Sequence, residues 1–275
     1  MNTLLKALPS TSIKSTSIKN ITLEESSPLQ NHLLASLPYS EFSLWEHELE
    51  LVDLTLGQVL CEPGIKHTHV IFPTTAIVSL LYTTQDGTSS EIAVVGNDGV
   101  VGVSVFMGGN ETPNQAMVQS AGQGYRLRTQ VAKNIVEQGG ELMQMLLRYT
   151  QVMITQIAQT AVCNRHHSID QQLCRRLLLG LDRLPADDLV MTQELLANLL
   201  GVRRESVTTA ALKLQEAGVI HYCRGHITVL NRKLLEHRSC ECYAMVKKEQ
   251  NRLMPDKMEH PPKYQSRVSS MAYSM

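Results

Sequence analysis

Three places in this 275-residue chain put chemically capable side chains at short spacing. Just after Gly201, the run Arg203, Arg204 and Glu205 is followed by Ser206, Thr208 and Thr209. An arginine fork beside a carboxylate can read base edges, the arginine donating twice to guanine O6 and N7 and the glutamate accepting from a cytosine amino group. On an ordinary helix the same run is a solvated first turn. His67-Thr68-His69 could offer two imidazoles to a divalent metal in the manner of cupin enzymes. Val70, Ile71, Phe72 and Pro73 follow, however, so no carboxylate completes the set, and two turn histidines before a strand is the preferred reading. The six cysteines, Cys61, Cys163, Cys174, Cys223, Cys240 and Cys242, contain no CxxC pair. Neither a zinc framework nor a redox motif is indicated, no metal ligand is assigned, and Cys240 and Cys242 read as incidental thiols of a reduced, cytoplasmic protein.

The elements that must position these groups fall into two textures. Over residues 49–128, short apolar or alternating runs are divided by EPG, QDG and NDG, with Asp86-Gly87 the best hairpin turn, which argues for a β-sandwich or roll. From residue 141 to 167 there is no Gly or Pro, and Leu142, Leu146, Tyr149, Met153, Ile157 and Ala161 recur at three and four. That is one long helix with an apolar seam, about 37 Å in length and too long for a small roll to cover, so part of it is expected to pair with a second copy. Ser168 and Asp170 are candidate caps for a further helix, IDQQLCRRLLLGLDRL, ending at Pro185. The tandem STSIK repeats near the N-terminus and the Met-, Pro- and Ser-containing segment from Asn251 onward have no apolar period, and disorder is expected there. Charge is uneven: residues 26–160 carry 5 Lys and Arg against 12 Asp and Glu, and residues 165–238 carry 11 against 8. A mildly basic back half suits a polyanionic partner. No run approaches the roughly 18 apolar residues of a membrane helix.

Between residues 192 and 220 the pattern is most specific. Thr192 caps a helix with Leu195, Leu196, Leu199 and Leu200 on its apolar side; Gly201 allows a tight turn; Val202 is the buried turn residue; and residues 205–215 form a second helix burying Val207, Ala211 and Leu214. AGVIHYCRGHITVLN then alternates and turns at Arg224-Gly225, as the hairpin wing of a winged helix-turn-helix does. Here MTQELLANLLGVRRESVTTAALKLQEAGVI resembles the pattern LTQxxLAxxLGxxRxSVxxxLxxLxxxGxI of the cyclic-AMP-receptor-protein/Fnr (Crp/Fnr) family of bacterial transcription regulators. The resemblance covers roughly residues 49–238.

By that resemblance the long helix is a dimer interface, Asp170 lies at the interdomain hinge, and the second helix of the motif enters the DNA major groove. Arg203, Arg204, Glu205, Ser206, Thr208 and Thr209 then occupy exposed early positions of the reading helix, Arg204 and Glu205 on bases and Arg203, Ser206 and Thr208 on phosphate. Many family members present a further arginine where Thr209 stands, so the family's usual target is not carried over. The resemblance also implies an inverted-repeat operator and RNA polymerase as a downstream partner. Cyclic-nucleotide-binding members carry FGE(L/I) and, after a gap, R(S/T)A. In VVGVSVFMGGNETPNQAMVQ, Gly102 matches, but Val103 replaces the glutamate and Asn114-Gln115 stand near the arginine position. A cyclic phosphate would be buried unpaired, so tight cyclic-nucleotide binding is not expected and no cofactor is predicted. Iron–sulfur sensing lacks its N-terminal cysteine cluster, and haem ligation by His67, His69 or Cys61 has no supporting context.

The expected fold is α+β: an N-terminal β-roll of the double-stranded β-helix or jelly-roll kind, a long dimerisation helix and a C-terminal winged helix-turn-helix. Residues 1–28 are expected to form a flexible tail, 29–140 the sensor-like roll, 141–167 the dimerisation helix, 168–238 the DNA-binding domain and 239–275 a partly disordered extension. The expected partners are double-stranded DNA and a second copy of the chain. Two other classes stay open: a metal-dependent cupin-like enzyme, and a dimeric module whose helix-turn-helix packs on protein.

Overall fold

The computed structural model describes residues 26–184 and 188–254. The STSIK repeats and the segment after residue 254, where disorder is expected, lie outside the described residues, as does Pro185. Two short helices come first, α1 (His32–Ala35) and α2 (Tyr39–Phe42), and contribute Leu33, Leu34 and Phe42 to the first core. Seven strands follow: β1 (Glu50–Leu54), β2 (Val59–Cys61), β3 (His69–Pro73), β4 (Ile77–Thr83), β5 (Ser89–Val95), β6 (Gln115–Ser120) and β7 (Gly122–Arg128). They pair antiparallel into two sheets, β1-β7-β3 and β2-β6-β4-β5, whose Val, Ile, Leu and Phe side chains fill the space between them. Asp86-Gly87 does turn β4 into β5: Gly87 has φ of +86°, and the Asp86 carboxylate accepts from the Thr88 amide at 3.1 Å. A Cβ at Gly122 would lie 2.6 Å from the backbone of Thr75 and Ala76, so the entry to β7 has room only for glycine.

α3 (Thr129–Glu137) closes the roll and α4 (Glu141–His166) runs from it. Gly140 has no side chain with which to cap α4. Glu41 of α2 supplies the cap instead, its carboxylate accepting from the Glu141 and Leu142 amides at 3.0 and 2.9 Å, where the helix dipole also favours negative charge. The seam expected on α4 divides. Leu142, Leu146, Tyr149 and Met153 are buried on the roll, but Ile157 and Ala161 are exposed. At about 100° per residue, Ile157 and Ala161 have drifted roughly 60° and 100° from Leu142, whereas Thr160 returns to its direction. Gln156 and Thr160 therefore continue the buried line, with Gln156 Nε2 donating to the Val94 carbonyl at 3.1 Å. The exposed side carries Leu147, Ile154, Ile157, Ala158, Ala161 and Val162.

α5 (Ile169–Leu181) begins with a capping box: Ser168 accepts from the Gln171 amide, and Gln171 reaches back to the Ser168 amide. Ser168 is thus the cap, and Asp170 sits in the first turn, paired with Lys213 at 2.9 Å. The helix ends at Leu181, before the expected stop. Its ten residues from 172 to 181 are all buried, because one side faces the β2-β6-β4-β5 sheet and the other faces the C-terminal domain. On the sheet side, Arg176 Nε lies 2.6 Å from Glu91 Oε1, and the same guanidinium meets Gln119, while Ser79 donates to Glu91. Burial lowers the Arg176 guanidinium and the Glu91 charge pulls it back up. Arg183 makes a two-pronged pair with Asp98, at 3.0 and 2.7 Å.

The second core gathers β8 (Asp188–Val190), α6 (Gln193–Leu200), α7 (Arg204–Glu216), β9 (Ile220–Cys223), β10 (His226–Val229) and α8 (Arg232–Arg238) around α5, with Leu81 of the roll included. The extension after residue 238 opens with an ordered helix, α9 (Glu241–Leu253), which packs along α4 and buries Cys242, Tyr243 and Val246. Asp182 anchors it, accepting from Tyr243 and Lys247 at 3.0 Å each and pairing with Arg232. The fold also brings Cys163 and His167 to Cys240 and Cys242. A spacing of 77 residues hides that convergence from any local motif.

Removing one partner of a buried ion pair strands the other charge. Glu91→Leu is expected to cost about 3–5 kcal/mol in urea unfolding, and Glu91→Leu with Arg176→Met to recover most of it.

Candidate nucleic-acid interface

The turn between α6 and α7 is built by four residues. Thr192 caps α6, its hydroxyl accepting from the Leu195 amide at 3.1 Å. Gly201 ends the helix in the left-handed conformation, φ +65° and ψ +35°, and the Val202 amide bonds back to the Ala197 carbonyl at 3.0 Å. Arg203 is the extended residue that precedes α7, and it makes no side-chain cap. Val207, Ala210, Ala211 and Leu214 then bury one face of α7, which turns the first-turn charges outward.

Arg203, Arg204, Glu205 and Thr209 are exposed, while Ser206 and Thr208 are half-buried. No ion pair engages Arg203, Arg204 or Glu205 among the described residues. The two threonine hydroxyls bond within the motif. Thr208 donates its hydroxyl to Gln193 Oε1 at 2.7 Å, tying α7 to the start of α6, and Thr209 donates to the Glu205 carbonyl at 2.9 Å. Both hydroxyls thus have partners inside the motif.

The hairpin β9–β10 pairs with β8 into a three-stranded sheet, and Arg224 and Gly225 form its two-residue turn with φ of +50° and +84°. Arg224 is exposed at that tip and is the one non-glycine residue with positive φ among the described residues. A concavity of about 520 Å³ lies between helix and wing, lined by Thr192, Gln193, Arg204, Gln215, Tyr222 and Arg224. Burial pushes the Tyr222 phenol up to about 12, and the charge of the neighbouring Arg204 opposes the shift. Sequence reasoning placed Arg224 in a turn and went no further. A cation at a hairpin tip, directly after a helix-turn-helix, was the available signal.

The other candidate groups do not assemble with this face. His67 Nδ1 contacts Cys61 Sγ at 3.1 Å, His69 Nδ1 contacts Thr68 Oγ1 at 3.0 Å, and burial lowers both imidazoles. Between the roll and α4 is a cavity of about 290 Å³, lined in part by Val103, Glu111, Asn114, Met153 and Ile154, with neither lysine nor arginine on its walls. Gly102 has φ of +95° and starts the turn of helix from Val103 to Met107, while Gln115 donates to Glu62 at 3.1 Å.

Residues 171–238 match the model of the Crp-like helix-turn-helix domain. In structure, a Crp/Fnr-family transcriptional regulator from Eubacterium rectale superposes with a TM-score of 0.59 at 17% identity, covering 74% of this chain and 96% of that one. FixK2 from Bradyrhizobium japonicum gives 0.59 at 15%, covering 70% and 98%. A Crp/Fnr-family transcriptional regulator from Thermus thermophilus gives 0.57 at 21%, covering 69% and 98%. At these identities the likeness is one of fold. No curated protein gives a significant sequence match. No helix among the described residues is long and apolar enough to cross a membrane.

The left-handed conformation at Gly201 costs a side-chain-bearing residue roughly 1–2 kcal/mol. Gly201→Ala is expected to lower stability by that amount in urea unfolding, and Gly201→Asn by less.

Proposed function

We propose that this chain, which joins the Crp/Fnr regulator fold to a Crp-like helix-turn-helix domain, is a sequence-specific DNA-binding transcription regulator that acts as a homodimer. The observation that carries the reading is the open first turn of α7: Arg203, Arg204 and Glu205 are exposed without ion-pair partners among the described residues, and Arg224 of the wing stands beside the same concavity. Arg204 and Glu205 suit base edges, Arg203 and Arg224 suit phosphate, and Ser206 is a secondary backbone contact. Thr209 is exposed beside them, and Thr208 ties the motif's two helices together. The exposed apolar stripe on α4, with Leu147, Ile154 and Ala161 spaced at seven, supports pairing with a second copy. Two-fold pairing calls for an inverted repeat with half-site centres about 34–36 Å apart. RNA polymerase as the downstream partner rests on resemblance alone.

The input side is read from the roll's cavity. A cyclic phosphodiester placed there would meet Glu111 and neither lysine nor arginine, which supports an effector other than a cyclic nucleotide. Among the described residues neither His67 nor His69 belongs to a group of three potential metal ligands, which weighs against the cupin-like reading.

Selection of bound fragments from random duplex DNA is expected to yield an inverted repeat. On that site Arg204→Ala should lose about 1–3 kcal/mol and relax preference at one base pair, while Arg203→Ala should weaken all sequences alike and lower the salt slope by about 1. Salt-independent binding, or wild-type titrations in both variants, would remove DNA reading from this helix. Calorimetry with cyclic AMP and cyclic GMP is expected to show no micromolar binding.

A further inference from the structure

The last turn of α4 and the first turn of α9 bring three cysteines and a histidine together at the point where the C-terminal domain is attached. Cys163 Sγ lies 3.5 Å from Cys240 Sγ, and Cys242 Sγ lies 3.6 Å from His167 Nδ1. All four potential ligand atoms fall within 4.8 Å of one another. The three cysteines are buried and form a cluster of their own, separate from both hydrophobic cores. Among the described residues this is the one group of three or more Cys, His, Asp or Glu placed to share an ion.

Two further observations point to a metal. The outer nitrogen of the imidazole, His167 Nε2, lies 3.2 Å from Glu241 Oε1, an arrangement that fixes the tautomer and leaves Nδ1 facing the thiols; metal-bound histidines are commonly held by such a carboxylate. Arg175 is buried, its guanidinium donates only to Thr160 Oγ1 at 3.2 Å, and no carboxylate pairs with it among the described residues. Its charge acts on the thiols of Cys163 and Cys242. A dication held by three thiolates and a neutral imidazole carries a net charge of minus one, which is the counter-charge that Arg175 lacks.

We infer that Cys163, His167, Cys240 and Cys242 bind one zinc-type divalent ion in a closed tetrahedral site. With Zn–S near 2.3 Å and Zn–N near 2.0–2.1 Å, a regular tetrahedron has S···S and S···N edges of about 3.8 and 3.6 Å, close to the spacings already in place. A cluster of several irons, each with its own cysteine, would hold the sulfurs farther apart. Binding releases the thiol protons and involves no redox step. The site also has a place in the architecture: His167 and Cys240 flank residues 168–239, so one ion fastens both ends of the helix-turn-helix domain to the end of α4. This assignment does not depend on the DNA-binding reading.

The test uses the full-length chain, reduced and stripped of metal, titrated with cobalt(II). Thiolate-to-cobalt charge-transfer absorption and the intense visible bands of tetrahedral cobalt are expected to saturate at one equivalent per chain and to disappear on adding zinc(II). The double variant Cys163→Ser/Cys240→Ser should lose the bands, Cys61→Ser should keep them, and Glu241→Gln should keep them with affinity weakened 10–100-fold. The inference is overturned by reduced wild-type protein that shows no such bands, by bands retained in the double variant, by a Cys163–Cys240 disulfide in metal-free protein as isolated, or by iron with acid-labile sulfide at the site. The wild-type titration decides even where a variant does not fold.

Discussion

Arg176 is the residue on which the arrangement of the two cores depends. Its guanidinium is 1% exposed and paired from across the domain boundary, with Glu91 on β5 and Gln119 on β6, Ser79 on β4 holding the carboxylate. A buried ion pair contributes little net stability compared with well-packed apolar residues, because both ions must leave water. It does impose a register. An apolar face could slide on the sheet, whereas a guanidinium fork that moves by one residue leaves two charges unpaired in a low-dielectric interior. Arg183, two residues beyond the end of that helix, adds a second fixed point through Asp98, and Gln250 of α9 donates to the same Asp98 at 3.0 Å.

That register reaches the helix-turn-helix through few steps. α5 is packed against α7, and the Asp170–Lys213 pair links their ends. The motif's turn also comes close to the roll, since a Cβ on Gly201 would lie 3.3 Å from Ser90 Oγ. The charges of Arg203 and Arg204 therefore project from a segment whose position is set relative to the sheet, and rigid mounting of this kind is what directional base contacts require.

Much of the fold was legible because its cues are local. The Asp86-Gly87 and Arg224-Gly225 turns, the Gly201 break and the Ser168 and Thr192 caps each declare themselves within four residues, and each stands where the pattern put it. Long-range features were not legible. Glu41 caps a helix 100 residues away, and Cys163 meets Cys240 across 77. The seam on α4 failed at Ile157 for a different reason, a residue count at three and four that drifts off a true 3.6 period. Within the candidate interface, residue types told which groups could bond to DNA. The inward commitment of the Thr208 and Thr209 hydroxyls depends on where α6 lies and on the helix's own carbonyls, and no composition rule contains it.

α5 has no exposed side over its last ten residues, and this restricts how the molecule can move. A helix with one free face can roll about its axis at the expense of that face alone. Rolling α5 would drag Arg176 from the sheet and Leu177 from the second core at once. The two cores therefore cannot shift against one another by rotation of α5 alone.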